Sequence, residues 1–290
     1  MDDILVQALI QGLLIGATYG FIALGLGIIY SVSGVINFSH GDFVTLGMFL
    51  CYSLWSVLSL DPYVSIAITL PVFIVIGAVL YRYLIQPIVG VHMLMIIQLT
   101  LGVSFILQNG LLMIFGGQPL RTPSAFEAKL LFVTDSVILR LTLVVAFVVS
   151  LILACVLYWL LNRTDFGRSV RAIHQNPRAA ALMGINVTAV RTITFAAGFG
   201  ILAIAAGLLL PGTPAHPGMG LRYTVITLMV IILGGMTNFF GIVLGGFLIG
   251  VSEAIGTVYV SGIMGMMMPY AIFVLVLLFR PQGILGTRVS

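Results

Sequence analysis

Apolar residues along this chain neither alternate nor keep to one helical face; they run unbroken between isolated charges. No Asp, Glu, Lys or Arg occurs in 4–41, 43–60, 62–81, 83–120, 141–162, 192–221, 223–252 or 254–279. A helix that crosses a bilayer needs about 20 apolar residues at 1.5 Å each. The runs therefore predict crossings near 4–30, 42–58, 62–81, 93–115, 138–162, 191–210, 223–236, 239–260 and 263–279. That is nine, with eight as the alternative. The segment 223–236 is short and ends at Gly234-Gly235. It is a candidate half-helix, tolerated only where protein or water covers its free backbone groups. Membrane barrels would show alternation in segments of about ten residues, which is absent. The expected fold class is an all-α polytopic membrane protein with 8–9 transmembrane helices, forming one domain over 1–290.

Composition sharpens this reading. Hydrophobic residues make up 61% of the 290 and charged residues 7%, against about 25% charged in a soluble domain. Twenty charged side chains cannot cover a soluble surface of this size. Five arginines (Arg163, Arg168, Arg171, Arg178, Arg191) face one acid, Asp165, between 163 and 191. Basic residues gather on the cytoplasmic side, which assigns 163–190 to the cytoplasm and the 116–137 and 211–222 segments to the outside. The Met-Asp-Asp start lacks a basic flank, and its apolar segment is too long for a signal peptide. It reads as a retained first helix with an external N-terminus. Arg280 and Arg288 place the C-terminus inside.

Several chemistries are excluded. The single lysine, Lys129, has no GxxxxGK[ST] around it, so this chain holds no P-loop. HExxH, CxxC and GxSxG are all absent. Four scattered histidines (His40, His92, His174, His216) make no metal cluster, and Cys51 and Cys155 read as small core hydrophobes. The net charge of +4 reports orientation rather than an affinity for nucleic acid.

Three stretches carry candidate mechanism. Ser31 to Asp42 places Asn37, Ser39, His40 and Asp42 between two apolar runs, with Gly34 and Gly41 free to turn. At the membrane surface such polarity needs no explanation. If the stretch dips into the membrane, each polar group needs a partner or a water-filled path, and the four become candidates for a translocation pathway or gate. Glu253 sits in the middle of an apolar run, its nearest charges in sequence being Arg222 and Arg280. A charge at that depth costs about 2.5–3.5 kcal/mol or more unless partnered or neutralised. It is either a protonated structural donor or a pathway group. No paired intramembrane acid and base is apparent. A weak internal repeat relates 36–49 (INFSHGDFVTLGMF) to 237–247 (TNFFGIVLGGF); chance likeness of two glycine-rich helices is the alternative.

The third stretch is cytoplasmic. Asn176 before Pro177 marks a helix start, by side-chain capping and by proline's fixed φ. Gly184 marks its left-handed stop. The helix between is under ten residues and too short to stand alone in water. Its small and apolar residues, Ala179 to Met183, dock either on their own membrane helices or in the cleft of a cytoplasmic partner.

At these residues the chain closely resembles, over nearly its whole length, the LivH-type permease subunits of branched-chain amino acid ABC importers. The resemblance rests on Asn37-Phe-Ser-His-Gly41, on Gly167-Arg-Ser-Val-Arg-Ala172 leading to Ala181-Leu-Met-Gly-Ile-Asn186, on Gly234-Gly235 ahead of a glycine-rich helix with Glu253-Ala254, and on Arg280-Pro-Gln-Gly-Ile-Leu-Gly286. Arg178 departs from the family, where an acidic residue is common. The resemblance implies a bacterial inner-membrane subunit with no catalytic residue, metal or cofactor of its own. It pairs with a second homologous permease, with two cytoplasmic ATP-binding subunits that use ATP and Mg, and with a periplasmic substrate-binding protein. The ATPase-coupling residues would be Arg168, Arg171, Asn176, Pro177, Arg178, Ala181, Leu182 and Gly184. Transport of leucine, isoleucine and valine by alternating access is implied; relatives carry other amino acids, amides or urea. The rival reading is an ATP-independent channel or secondary carrier for a small polar solute such as urea or an amide. An intramembrane hydrolase built on Ser39 and His40 has no further support.

Overall fold

The computed structural model describes residues 2–90, 92–124, 130–134, 137–260, 263–280 and 283–285; Lys129, Gly286 and Arg288 lie outside them. The chain order is α1 (Asp2–Ser33), α2 (His40–Leu58), α3 (Pro62–Val79), α4 (Met93–Phe115), a two-stranded antiparallel ribbon of β1 (Leu130–Thr134) and β2 (Val137–Arg140), α5 (Leu141–Arg163), α6 (Asp165–Gln175), α7 (Pro177–Leu182), α8 (Val187–Leu209), α9 (Met219–Gly234), α10 (Phe239–Tyr259), α11 (Ile263–Met266) and α12 (Met268–Phe279). Among the described residues, seven helices are long and apolar enough to cross a membrane, and two shorter apolar helical segments, Met219–Gly234 and Met264–Phe279, accompany them. The nine expected segments are all present as helices. The ribbon is an addition to the all-α expectation, and π-helical and 3-10 turns (Leu80–Ile85, Gln86–Ile88) prolong α3.

The centre of the bundle is made by glycine. Gly12, Gly16 and Gly20 of α1 lie against the backbone of α10 at Val251, Phe247 and Val243, and Gly246 and Gly250 of α10 lie against the backbone of α1 at Gly20 and Gly16. With lipid as apolar as any side chain, helices associate by close packing, and small residues at i, i+4, i+8 let two backbones touch. Around this pair, α8 buries Phe195, Phe199 and Leu202 completely.

Two ends can be told apart. The arginine-rich end collects the C-terminus of α1, the end of α5, α6, α7 and the start of α8: His174 Nδ1 meets Ser31 O at 2.8 Å, and Arg191 Nε donates to Val32 O at 2.8 Å. The segment joining α9 to α10 reaches the same end, since Met236 and Phe239 share a small cavity with Ser31 and Leu161. The tail returns there too: Ile284 N donates to Leu233 O at 2.6 Å and Asn238 Nδ2 to Leu285 O at 3.0 Å. At the opposite end Ser124 Oγ donates to Asp61 Oδ2 at 3.0 Å, and Leu120 bridges Ala215.

Two helices start deep inside the bundle. After α1, residues 34–39 double back until His40 Nε2 meets Ile22 O at 3.1 Å. The span from Ile22 to Ser33 is roughly 16 Å of helix at 1.5 Å per residue, and that is how far α2 starts from the end of α1. On the other side, Phe43 meets Phe199 of α8 edge to face (ring centroids 4.6 Å apart) while Gly220 packs on Asp42. Since α8 continues to Leu209, α9 begins about 15 Å short of that end. The loop 211–218 thus descends as 34–39 does, from the opposite end. The structure corrects the expected 211–222 loop, because its last residues, Arg222 included, belong to α9.

Candidate functional site

The first site is the buried meeting of the α2 and α9 starts. Asn37, Ser39, His40 and Asp42 are at most 1% exposed, so the stretch is interior rather than a surface turn. Asn37 Oδ1 accepts from Ser39 N (3.0 Å) and Ser39 Oγ (2.7 Å). Ser104 Oγ, halfway along α4, donates to Asp42 Oδ2 at 2.5 Å. Gly41 N donates to Thr224 Oγ1 of α9 at 2.9 Å. Gly41 and Gly220 allow the two helix starts to touch, because a Cβ on either would collide with the other helix. Asn37 Nδ2, His40 Nδ1 and Asp42 Oδ1 remain buried without a hydrogen bond. Buried polar groups are ordinarily satisfied, so this crossing holds unspent hydrogen-bonding capacity where α2, α4, α8 and α9 converge.

Glu253 lies elsewhere, and sequence order concealed its partner. Arg222 Nη2 donates to Glu253 Oε1, across 31 positions of sequence. The expectation that no acid and base are paired within the membrane segments is therefore wrong. Helix geometry sets this up: Arg222 is two residues beyond Gly220, so the first turn of α9 shows Gly220 to the buried crossing and Arg222 to the other side. There a cavity of about 330 Å³ is lined by Tyr19, Thr142, Leu208, Thr213, Arg222 and Glu253, among others. Arg140, Thr142, Gly212 and Thr213, which also line it, belong to the end opposite the arginine-rich one.

The third site is α6–α7. Asn176 Oδ1 accepts from Arg178 N (3.0 Å) and Ala179 N (3.1 Å), Pro177 opens the helix, and Gly184 takes φ +86°, as the spacing predicts. The preceding helix α6, capped by Thr164, carries Arg168 paired with Asp165 and Arg171 bonded to Leu161 O. One face of α7 packs on the chain's own bundle, and the other is exposed. Ala180 is buried with Val170, Ile173 and Val32; Ala181 is exposed, and Leu182 and Met183 are 89% and 83% exposed.

The asparagines near the start of the two copies of the weak repeat are used differently. Asn238 caps α10 by accepting from Gly241 N, whereas Asn37 bonds Ser39, and α2 has no side-chain cap. The core assignment fails for Cys155, which is exposed on α5, and holds for buried Cys51. Among the described residues, no group of three His, Cys, Asp or Glu is placed to hold a metal.

Residues 8–277 match the family described as branched-chain amino acid transport system, permease component. The high-affinity branched-chain amino acid transport system permease protein BraD of Pseudomonas aeruginosa is 30% identical, over 97% of this chain and 95% of that protein. A probable branched-chain amino acid transport permease protein LivH of Methanocaldococcus jannaschii is 30% identical over 91% and 87%, and LivH of Escherichia coli 27% over 97% and 95%. No solved structure matches. A polytopic helical bundle matched from its first helix to its last, this chain belongs to the permease family of branched-chain amino acid ABC transporters.

Proposed function

We propose that this chain moves leucine, isoleucine and valine across the bacterial inner membrane by alternating access, driven by ATP and Mg on two separate cytoplasmic subunits. The observation that carries the reading is α7. A capped helix of six residues holds Leu182 and Met183 out into solvent while its other face is fixed to the bundle. Two large apolar side chains so exposed at one tip favour a partner's cleft. In this reading the arginine-rich end is cytoplasmic, and the N-terminus is periplasmic. The 116–137 and 211–218 segments receive a periplasmic binding protein, and a second permease completes the path.

The transmission is physical. A push on α7 reaches α6 through Ala180 and Ile173, and the end of α1 through His174 on Ser31 O and Arg191 on Val32 O. Helix α1 in turn carries Ile22, whose carbonyl holds His40 at the start of α2. Closure below thus bears on the crossing of α2 and α9, where Asn37, Ser39, His40 and Asp42 act as the gate. A ligand drives such a cycle only by binding one state better than another. The test is uptake of labelled leucine into proteoliposomes holding this chain with its co-purified partners. Uptake that requires ATP is expected; uptake by this chain alone, without ATP, hands the case to a channel or carrier.

A further inference from the structure

We propose that the Arg222–Glu253 pair, in the lining of the 330 Å³ cavity, is a docking station for the zwitterionic head of an amino acid, its carboxylate on Arg222 and its ammonium on Glu253. The inference rests on the transport reading above and gives it a site on this chain.

A purely structural ion pair should be closed, with each group's hydrogen bonds used up, because charges left half-satisfied at low dielectric are costly. This one is open. The Arg222 side chain is 41% exposed against 15% for Glu253, and Arg222 lines the cavity. Only Oε1 of Glu253 is bonded to Arg222; Oε2 is buried without a hydrogen bond, although Tyr19 stands beside the carboxylate. The lining therefore offers guanidinium N–H donors together with a carboxylate oxygen lacking one. A zwitterion supplies the complement: a planar carboxylate, which a guanidinium receives bidentately, and an ammonium with three N–H donors. By inserting, it replaces one ion pair with two, and no charge is left unmatched. A solute with one charge strands one partner, and an uncharged solute that parts the pair strands both.

The rest of the cavity suits the rest of the molecule. Its volume lies at the lower end of the range for small-molecule sites. Thr142 and Thr213 contribute polar groups, while Ile15, Leu143, Ala146 and Leu208 supply apolar wall for a branched side chain. The station is also coupled to the gate. Arg222 shares the first turn of α9 with Gly220, which packs on Asp42, so an occupant that draws Arg222 aside shifts the turn on which the buried crossing closes.

The test has two arms. In the first, the complete transporter with its co-purified partners is reconstituted with Arg222→Gln/Glu253→Gln, which removes both charges and leaves none unpaired. Labelled leucine uptake should fall at least tenfold at equal recovery of assembled complex. Uptake at the wild-type rate means that the pair is structural and overturns the proposal. The second arm needs no charge variant to fold. Thr213→Cys in a Cys155→Ser background places a thiol in the cavity wall, and its alkylation is followed in native membranes. Millimolar leucine should slow alkylation at least threefold, while isopentylamine and 4-methylpentanoate, with one charge each, should not. Equal protection by all three, or by none, overturns the site. A wild-type complex that moves no branched-chain amino acid while leucine still protects the thiol retires the transport reading and leaves the station standing.

Discussion

Replacing Leu182 and Met183 with aspartate separates the two faces of α7. At 89% and 83% exposure these side chains contribute almost nothing to the chain's own stability. Surface changes of that kind stay within about 0.5 kcal/mol. In a partner's cleft the account differs: fully burying a leucine or methionine is worth about 1.5–3 kcal/mol each. Losing both forfeits about 3–6 kcal/mol of association, a hundredfold or more at 1.4 kcal/mol per tenfold. The control lies on the same helix. Ala180 is 4% exposed among Val32, Val170 and Ile173, and Ala180→Asp buries an unpaired carboxylate and should destabilise the chain itself. The assay is recovery of the ATP-binding subunits on the tagged permease, with its thermal unfolding in detergent measured in parallel. The expected pattern is lost partners at unchanged melting for Leu182→Asp/Met183→Asp, and lowered melting for Ala180→Asp. Full recovery of the ATPases and full leucine uptake by the double variant would refute the assignment of α7 as the knob.

Other sites make equally concrete expectations. Gly16→Leu forces a side chain into the α10 backbone at Gly246 and Phe247 and should cost about 1–3 kcal/mol or more. A Cβ at Gly102 meets nothing within 4 Å, so Gly102→Ala should melt like the parent; equal melting of both variants would contradict the backbone contact. Ser104→Ala strips Asp42 Oδ2 of its donor and should cost about 1–3 kcal/mol, and unfolding unchanged in midpoint would show that the bond contributes nothing. Asn176→Ala removes the acceptor for Arg178 N and Ala179 N; a loss of about 1 kcal/mol of helix stability should appear as faster amide exchange confined to 177–183, and unaltered exchange there would contradict the cap.

The crossings were legible because solvation by lipid is enforced residue by residue. A charge within the hydrocarbon is penalised wherever the chain places it, so charge-free runs mark helices without knowledge of their neighbours. The α7 turn was legible for a similar reason: Asn176, Pro177 and Gly184 act on backbone groups within a few positions of themselves. Boundaries shifted where tertiary bonds extend a helix past its apolar run, as at Val187, where Arg191 inside α8 is held by Val32 O. The glycines at 12, 16 and 20 were visible as abundance, but their partners were not.

What the sequence by itself determined is that this chain crosses a membrane many times, gathers five of its twelve Lys and Arg residues in one segment, and presents a short capped helix there. Those properties follow from local free energies of transfer and capping. Tertiary structure alone decided the depth of the polar stretch at 37–42 and the pairing of Glu253. Whether Asn37 and His40 stand at a surface or inside depends on the backward run of 34–39 along α1, which Gly41 and Gly220 permit by letting two helix starts touch. Likewise Arg222 reads as the edge of a loop until the descent of 211–218 carries it to the level of Glu253. Contacts between residues 31 or 183 positions apart depend on where helices pack, and no local rule of composition or spacing encodes that.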